Sequence, residues 1–336
     1  MCSGIRAILS DMTSAVTDHV FDGLDRRLIA ALQCDGRITA ERAADVLGLP
    51  TRVVARRWAA LLRNGDVRVV AAPPRPPLQG VMLLRIRVLR GRVDAVAKAL
   101  AAREDIPLID VCASGDQLSA VLLAAPDHRN RLVFRQLPAT GAVTSVEAET
   151  VLHVYGDAGD WRLDALSPEE RLRLTPQRRD PDGDGDSGFD AIDRALVAVL
   201  ADNARISASA AARAVGHPES TVRRRLTALF EQGHLLTRVV VDPQRLGLGV
   251  DANLRMQVPA ARLDATGRTL AAHPAVHGAL ATTGRENLTI AVWLRDIEHL
   301  YRFLTHDLAE LDVANVDTVL IGESLKRPLA GWPHLR

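Results

Sequence analysis

At 336 residues the chain is long for a single hydrophobic core and comfortable for two or more domains. Its formal net charge of +1, with 47% hydrophobic and 25% charged residues, excludes a grossly basic, histone-like binder, so any nucleic-acid surface has to be local. The three cysteines, Cys2, Cys34 and Cys112, are odd in number and far apart, which spells neither a disulfide framework nor a zinc knuckle.

Residues 1–20 read as an N-terminal extension. The run MCSGIRAILSDMTSAV has too few apolar residues and an acidic residue too early for a signal peptide, and no later stretch approaches the ~18 apolar residues of a membrane span. A cytoplasmic protein is expected.

From residue 21 the chain is written twice. FDGLDRRLIAAL (21–32) returns as FDAIDRALVAVL (189–200), and residues 21–70 align with 189–238 without a gap, with 20 of the 50 positions identical. The matches include Leu28 and Leu196, the pair Arg37-Ile38 and Arg205-Ile206, Gly48 and Gly216, Pro50 and Pro218, and Gly65 and Gly233. A period this long means a duplicated domain and not a solenoid.

Each copy holds three helical segments. The first (22–33; 190–201) repeats leucine or isoleucine every four residues on one face. The second (40–47; 208–215) is short and stopped by glycine, and the third starts at proline and runs to Gly65 or Gly233. Short helix, glycine turn and longer helix form the helix-turn-helix pattern, with VRVVA (67–71) and LLTRVVV (235–241) following as wings. The winged units are bounded at 21–72 and 189–242.

A different rhythm follows each unit. Residues 80–156 read as strand (81–89), helix (92–103), two strands around Ser114-Gly115, helix (128–137) and strand (143–154). Residues 248–328 read as strand (250–258), helix (262–272), strand (276–283), strand (288–294), helix (297–309) and strand (312–321). Both are βαββαβ, the ferredoxin-like arrangement, so the fold class is α+β with two winged helix-turn-helix and two ferredoxin-like domains in tandem. LRIRV (84–88) pairs with LRMQV (254–258), so the offset has drifted to 170. Between the halves, 157–188 is rich in Asp, Gly, Pro and Arg and reads as an acidic flexible linker.

This order of units resembles the Lrp/AsnC family of transcriptional regulators, as a tandem fusion of two complete copies. The opening D-x-x-D-R-x-L, the stretch GHPESTVRRRLTALFEQGHL (216–235), the hinge-like VVVDPQRLGLGV (239–250) and the glycine-turn hairpin TTGRENLTIAVWL (282–294) carry the likeness. Two departures stand out: Pro50 and Pro218 replace the family's capping serine, and the first copy has AAPPRPPLQG and SGDQL where the hinge and glycine turn belong. The resemblance implies a sequence-specific regulator without enzymatic activity or cofactor. Its partners would be double-stranded DNA, a small-molecule effector such as an amino acid, and further copies of itself in a homo-oligomer.

On the third helix, Val54, Trp58 and Leu61, or Val222, Leu226 and Leu229, share the core face. The opposite face carries Arg52 and Arg56 in the first copy and Ser220, Thr221, Arg223, Arg224 and Thr227 in the second. An arginine run is ordinarily a solvated helix face, but its placement on both recognition helices makes these the expected DNA contacts. Arg57 and Arg225, beside the core, are expected to pair with Asp25 and Asp193. Because the two faces differ, a site with unlike halves is expected.

The family binds effectors near the glycine-turn hairpin, which implies Thr282, Thr283, Gly284, Glu286 and Asn287, with Ser114, Gly115 and Asp116 as counterparts. A plain hairpin with Gly284 at a positive φ is the competing reading. DPDGDGDSG (180–188) imitates half a calcium loop but has Ala191 where the bidentate Glu belongs, and LGLG (246–249) precedes a strand and so is no phosphate loop. No metal site is expected. The enzyme alternative is a siroheme decarboxylase, which resembles the same fold, and a ligand sensor without DNA binding is the third reading.

Overall fold

The computed structural model describes residues 20–74, 80–123, 131–176 and 189–327. The first half runs α1 (Gly23–Cys34), α2 (Ala40–Leu47), α3 (Thr51–Arg63), β1 (Val67–Ala72), β2 (Val81–Val88), α4 (Val93–Ala101), β3 (Leu108–Cys112), β4 (Gln117–Leu123), a π-helical turn (Leu132–Gln136) and β5 (Val143–Gly156). A short helix α5 (Pro168–Leu174) follows. The second half runs α6 (Ala191–Asp202), α7 (Ala208–Val215), α8 (Glu219–Glu231), β6 (Leu236–Val241), β7 (Val250–Gln257), α9 (Leu263–Ala271), β8 (Val276–Thr282), β9 (Leu288–Leu294), α10 (Ile297–Arg302) continued by a π-helical turn (Phe303–Asp307), and β10 (Ala314–Lys326).

The helix boundaries follow local chemistry. Asp22 and Asp190 cap α1 and α6, their carboxylates accepting from Asp25 N at 2.8 Å and Asp193 N at 3.0 Å. Thr39 and Ser207 cap α2 and α7 in the same way. Gly48 and Gly216 end those helices at φ 65° and 69°, a conformation that a side chain would strain. Pro50 and Pro218 contribute no side-chain cap to α3 and α8, as their chemistry requires.

The six helices of the helix-turn-helix units share one apolar core, in which Leu28, Leu32, Val54, Leu196, Leu200 and Val222 are all fully buried. Two corrections to the sequence reading come from here. First, the strands expected as separate wings pair with each other: β1 and β6 form an antiparallel ribbon in which Val70 lies opposite Arg238. These two positions are equivalent in the repeat, so a pseudo-two-fold axis passes between them. A lone strand leaves a row of backbone groups unpaired, and the other copy satisfies them.

Second, the segment expected to be a flexible linker from 157 to 188 is folded as far as residue 176. Trp161, Leu163, Leu166 and Leu174 enter the shared helical core. Helix α5 has a full capping box at Ser167 and Glu170, and Glu170 pairs with Arg27 of α1 at 2.5 Å. Four apolar residues spaced among the charges supply its buried face. Residues 177–188, with the calcium-like sequence, lie outside the described residues, as do 75–79 of the altered hinge, the first three residues of the helix expected over 128–137, and Met1–His19.

The remaining strands close into one eight-stranded barrel in the order β10-β3-β4-β2-β5-β8-β9-β7. Each half gives a compact apolar layer under its helices, around Ile86, Leu118 and Leu122 in one and Leu254, Ile290 and Phe303 in the other. Closure depends on β5 and β10, which outlast the strands expected at 143–154 and 312–321. β5 pairs first with β2 and then with β8, and β10 first with β7 and then with β3. Their final residues are recruited by the opposite half's edge, a long-range partner that strand periodicity does not register.

Reciprocal contacts bind the halves. Arg205 donates to Gly36 O at 2.6 Å and Ile38 O at 3.1 Å, while its repeat counterpart Arg37 donates to Ala204 O. Gly36 N donates to Thr237 Oγ1 at 3.0 Å, and Ala204 N to Val69 O at 2.7 Å. A Cβ on Gly36 would stand 2.5 Å from Val69 Cγ1, so the approach needs glycine. In the barrel, Arg85 pairs with Asp317 at 2.5 Å and Arg255 with Glu147 at 3.1 Å, two equivalent bridges that each cross between halves. Among the described residues no helix is long and apolar enough to cross a membrane.

Candidate nucleic-acid interface and ligand site

Helices α3 and α8 bury the faces expected of them and leave the opposite faces bare. Val54, Trp58 and Leu61 are buried on α3, and Val222, Leu226 and Leu229 on α8. Arg52 and Arg56 are exposed, as are Ser220, Arg223, Arg224 and Thr227, while Thr221 is half-buried. Arg223 is engaged locally by Glu219, one turn earlier, which partly neutralises it. Arg52 and Arg56 carry no acidic neighbour in the first turn of α3.

Arg57 and Arg225 behave differently, as their position predicts. Arg57 reaches Asp22 at 2.8 Å and Asp25 at 3.1 Å, and Arg225 reaches Asp190 at 2.7 Å and Asp193 at 3.0 Å. Both fix the recognition helix to the first helix of its own unit. Burial pushes the Asp25 carboxyl up, partly countered by Arg57, so the arginine offsets the burial cost of that charge.

The glycine-turn hairpin is a well-satisfied structure. Asn287 is spent on the backbone, its amide donating to Val258 O and its carbonyl accepting from Val258 N, both at 2.9 Å. Thr282, 1% exposed, donates to Glu286 O at 3.2 Å. Thr283 Oγ1 accepts from Thr150 N of β5 at 2.9 Å, and Gly284 adopts φ 108° close to Glu149. Glu286 lies 3.9 Å from Arg255. In the first copy Ser114 and Gly115 are exposed at a tight turn, and Asp116 is half-buried with its carbonyl accepting from Val88 N at 2.8 Å. The two sets lie on separate turns, and the polar atoms of Thr282 and Asn287 are already engaged.

A second set of polar residues gathers where no sequence motif pointed. A cavity of about 290 Å³ lies between the barrel strands, β6 of the ribbon and the segment 157–161. Arg327 bridges two carboxylates in its wall, Asp110 at 3.4 Å and Asp251. Trp293 Nε1 donates to Asp251 Oδ2 at 3.1 Å, and the His277 ring stacks on Trp293 at 3.8 Å between centroids. Trp161 meets Trp293 edge-on at 5.0 Å. Burial lowers His277 below the ordinary histidine value and raises Asp110. Burial alone would also raise Asp251, but His277 and Arg327 at its carboxylate outweigh it and hold it at about 2. One signal was present in the sequence: charges at alternate positions of otherwise apolar strands, such as Arg85 in LRIRV and Asp251 at the start of β7.

This architecture pairs two helix-turn-helix units on one shared sheet domain. The AsnC-type helix-turn-helix domain matches twice, at residues 21–62 and 189–229, and the Lrp/AsnC ligand binding domain matches residues 252–330. The HTH-type transcriptional regulator AldR of Mycolicibacterium smegmatis is 34% identical over 146 residues, covering 41% of this chain and 84% of AldR. An uncharacterized HTH-type transcriptional regulator of Pyrococcus horikoshii is 28% identical over 149 residues, covering 44% of this chain and 92% of that protein. The chain belongs to the Lrp/AsnC family. Its overall fold is also that of the siroheme decarboxylase NirDL, with a TM-score of 0.51 over 84% of this chain and 85% of that one at 16% identity, a likeness of fold alone.

Proposed function

We propose that the chain is a sequence-specific transcriptional regulator in which two complete Lrp/AsnC units, the first diverged, form an intramolecular pseudo-dimer, and whose DNA affinity a small molecule sets. The carrying observation is the pairing of two helix-turn-helix units through the β1–β6 ribbon with Arg52 and Arg56 on one exposed recognition face and Ser220, Arg224 and Thr227 on the other. Arginine suits guanine edges and phosphates, and serine and threonine suit either base type. Because Ala55 stands where the second copy has Arg223, and Arg52 where it has Ser220, the two halves read different sequences.

Fluorescence anisotropy of the protein on the DNA upstream of its own gene, beside a scrambled duplex, tests the reading. Tighter binding to the native duplex, weakening as salt rises in the manner of phosphate neutralisation, is expected. Footprinting should show two unlike half-sites; a perfect palindrome contacted equally in both halves would refute the asymmetric reading.

The fold match to NirDL, over 84% of this chain, supports a second reading, an enzyme acting on a tetrapyrrole. Titration with an iron tetrapyrrole separates the two: a saturable Soret change together with no duplex preference at any salt concentration would replace the regulator with the enzyme.

A further inference from the structure

Position for position, the exposed faces of the two recognition helices differ in a feature that bears on base reading: a carboxylate. Where α3 opens Thr51-Arg52-Val53-Val54-Ala55, α8 opens Glu219-Ser220-Thr221-Val222-Arg223. Glu219 and Arg223 stand one helical turn apart on one face, and the Arg223 guanidinium donates through Nη2 to Glu219 Oε1. Both are exposed, and both line an open depression on α8 together with Ser220, Arg224 and Thr227. The first copy has Thr51 and Ala55 in their places, and α3 has no acidic residue in its first turn.

A carboxylate on a face that meets DNA opposes the phosphates, so it weakens binding to every duplex. What it supplies is discrimination. It only accepts hydrogen bonds, and guanine O6 and N7 and thymine O4 repel it, whereas cytosine N4 donates to it. Held by Glu219, Arg223 still has N–H groups to give, so the two heads together present donors beside an acceptor. The major-groove edge of a G·C pair is the complement of that arrangement: guanine N7 and O6 accept, and cytosine N4 beside them donates. Turned round to C·G, the same pair sets the carboxylate against O6 and N7. An A·T pair sets it against thymine O4, and T·A offers Arg223 one acceptor instead of two. Bracing also withdraws rotamers from a flexible side chain, so less freedom is lost when the base is met.

We infer that Glu219 and Arg223 act as one reading unit, which selects a single G·C base pair of the second half-site in a fixed orientation. The inference rests on the reading of the chain as a sequence-specific regulator and names what its second recognition helix selects. Arg52 and Arg56, on a helix with no acidic residue in its first turn, lack that means of telling one strand from the other.

Selection from a randomised duplex pool by the full chain, followed by anisotropy on the selected site and its single-pair variants, tests this. One G·C pair should be selected in one half-site, and reversing it to C·G should weaken binding about tenfold or more. Glu219→Gln keeps the length of the side chain and adds an amide donor that guanine O6 accepts, so reversal should cost this variant about threefold or less. Its binding to a scrambled duplex should tighten, because a charge that opposes phosphate is gone. Glu219→Thr with Arg223→Ala gives α8 the residues of α3 and should lose the oriented pair from the selected site. A reversal penalty that survives in either variant overturns the inference. So does a loss of affinity in Glu219→Gln that is equal on all duplexes, the mark of a pair that only stabilises its helix. The two ideas fail separately: a pool that enriches no sequence sinks the regulator and this inference with it, whereas a selected site without an oriented G·C pair sinks the inference alone.

Discussion

The arginines that clasp and anchor the two halves are the same in both, whereas the surfaces that face something else differ. Arg37 and Arg205 are identical and clasp the opposite unit's backbone; Arg85 and Arg255 are identical and bridge the barrel; Arg57 and Arg225 are identical and anchor their helices. The exposed faces of α3 and α8 share Arg56 and Arg224 but differ at Arg52 against Ser220 and Ala55 against Arg223. The cavity departs further, with Arg238 against Val70 and Thr289 against Ser119. A pair of identical chains cannot change one face without changing its copy. On the proposed reading, carrying both halves in one chain lifts that constraint from the recognition surfaces, while the clasping arginines are kept in both.

Breaking the clasp should have the largest effect. Arg205→Ala leaves the Gly36 and Ile38 carbonyls without their donor inside the shared core, and a loss of about 2–4 kcal/mol is expected, read as a lowered midpoint in urea. Arg37→Ala should fall in the same range, and a much smaller effect there would show that the clasp is one-sided.

Next come the recognition faces. Arg56→Ala and Arg224→Ala should each weaken DNA binding by about 1–3 kcal/mol, with each variant losing footprint protection over a different half-site. Loss of the same half-site in both variants would mean that only one helix reads DNA.

A smaller effect should appear with pH. His277 has its folded value below the ~6.5 of an unfolded histidine, so the unfolded chain takes the proton first as pH falls. The stability it confers is complete above pH ~6.5 and is lost as pH drops through the folded value, at up to about 1.4 kcal/mol per pH unit for one proton. Asp251, Asp110 and Arg327 face the same ring, so the informative quantity is the difference between parent and His277→Gln. The variant should lose less stability between pH 7 and 5; equal slopes would place the proton uptake elsewhere.

The barrel bridges should matter least. Arg85→Ala removes an ion pair with half-exposed Asp317, and about 1 kcal/mol is expected. Arg255→Ala should cost more, because Glu149 beside it is only 12% exposed at the side chain. A reversal of that order would indicate that Glu149 is stabilised by its other neighbours.

Much of this was written locally. The caps at Asp22, Thr39, Asp190 and Ser207, the glycine stops, the buried stripe of each recognition helix and the order βαββαβ in 248–328 follow from side-chain chemistry within a few residues, which any window of sequence contains. The exposed arginines of α3 and α8 could be found for the same reason, since helical periodicity sorts a face before the fold is known. The partners across the molecule could not. That β1 pairs with β6 and not within its own unit, that β5 and β10 run on into the other half's sheet, and that 157–176 docks through Trp161 and Leu174 depend on edges and grooves supplied by residues up to about two hundred positions away. The cavity belongs to that second kind: Asp110, His277, Trp293 and Arg327 lie on separate elements, and only closure of the barrel turns four unremarked side chains into one buried polar cluster.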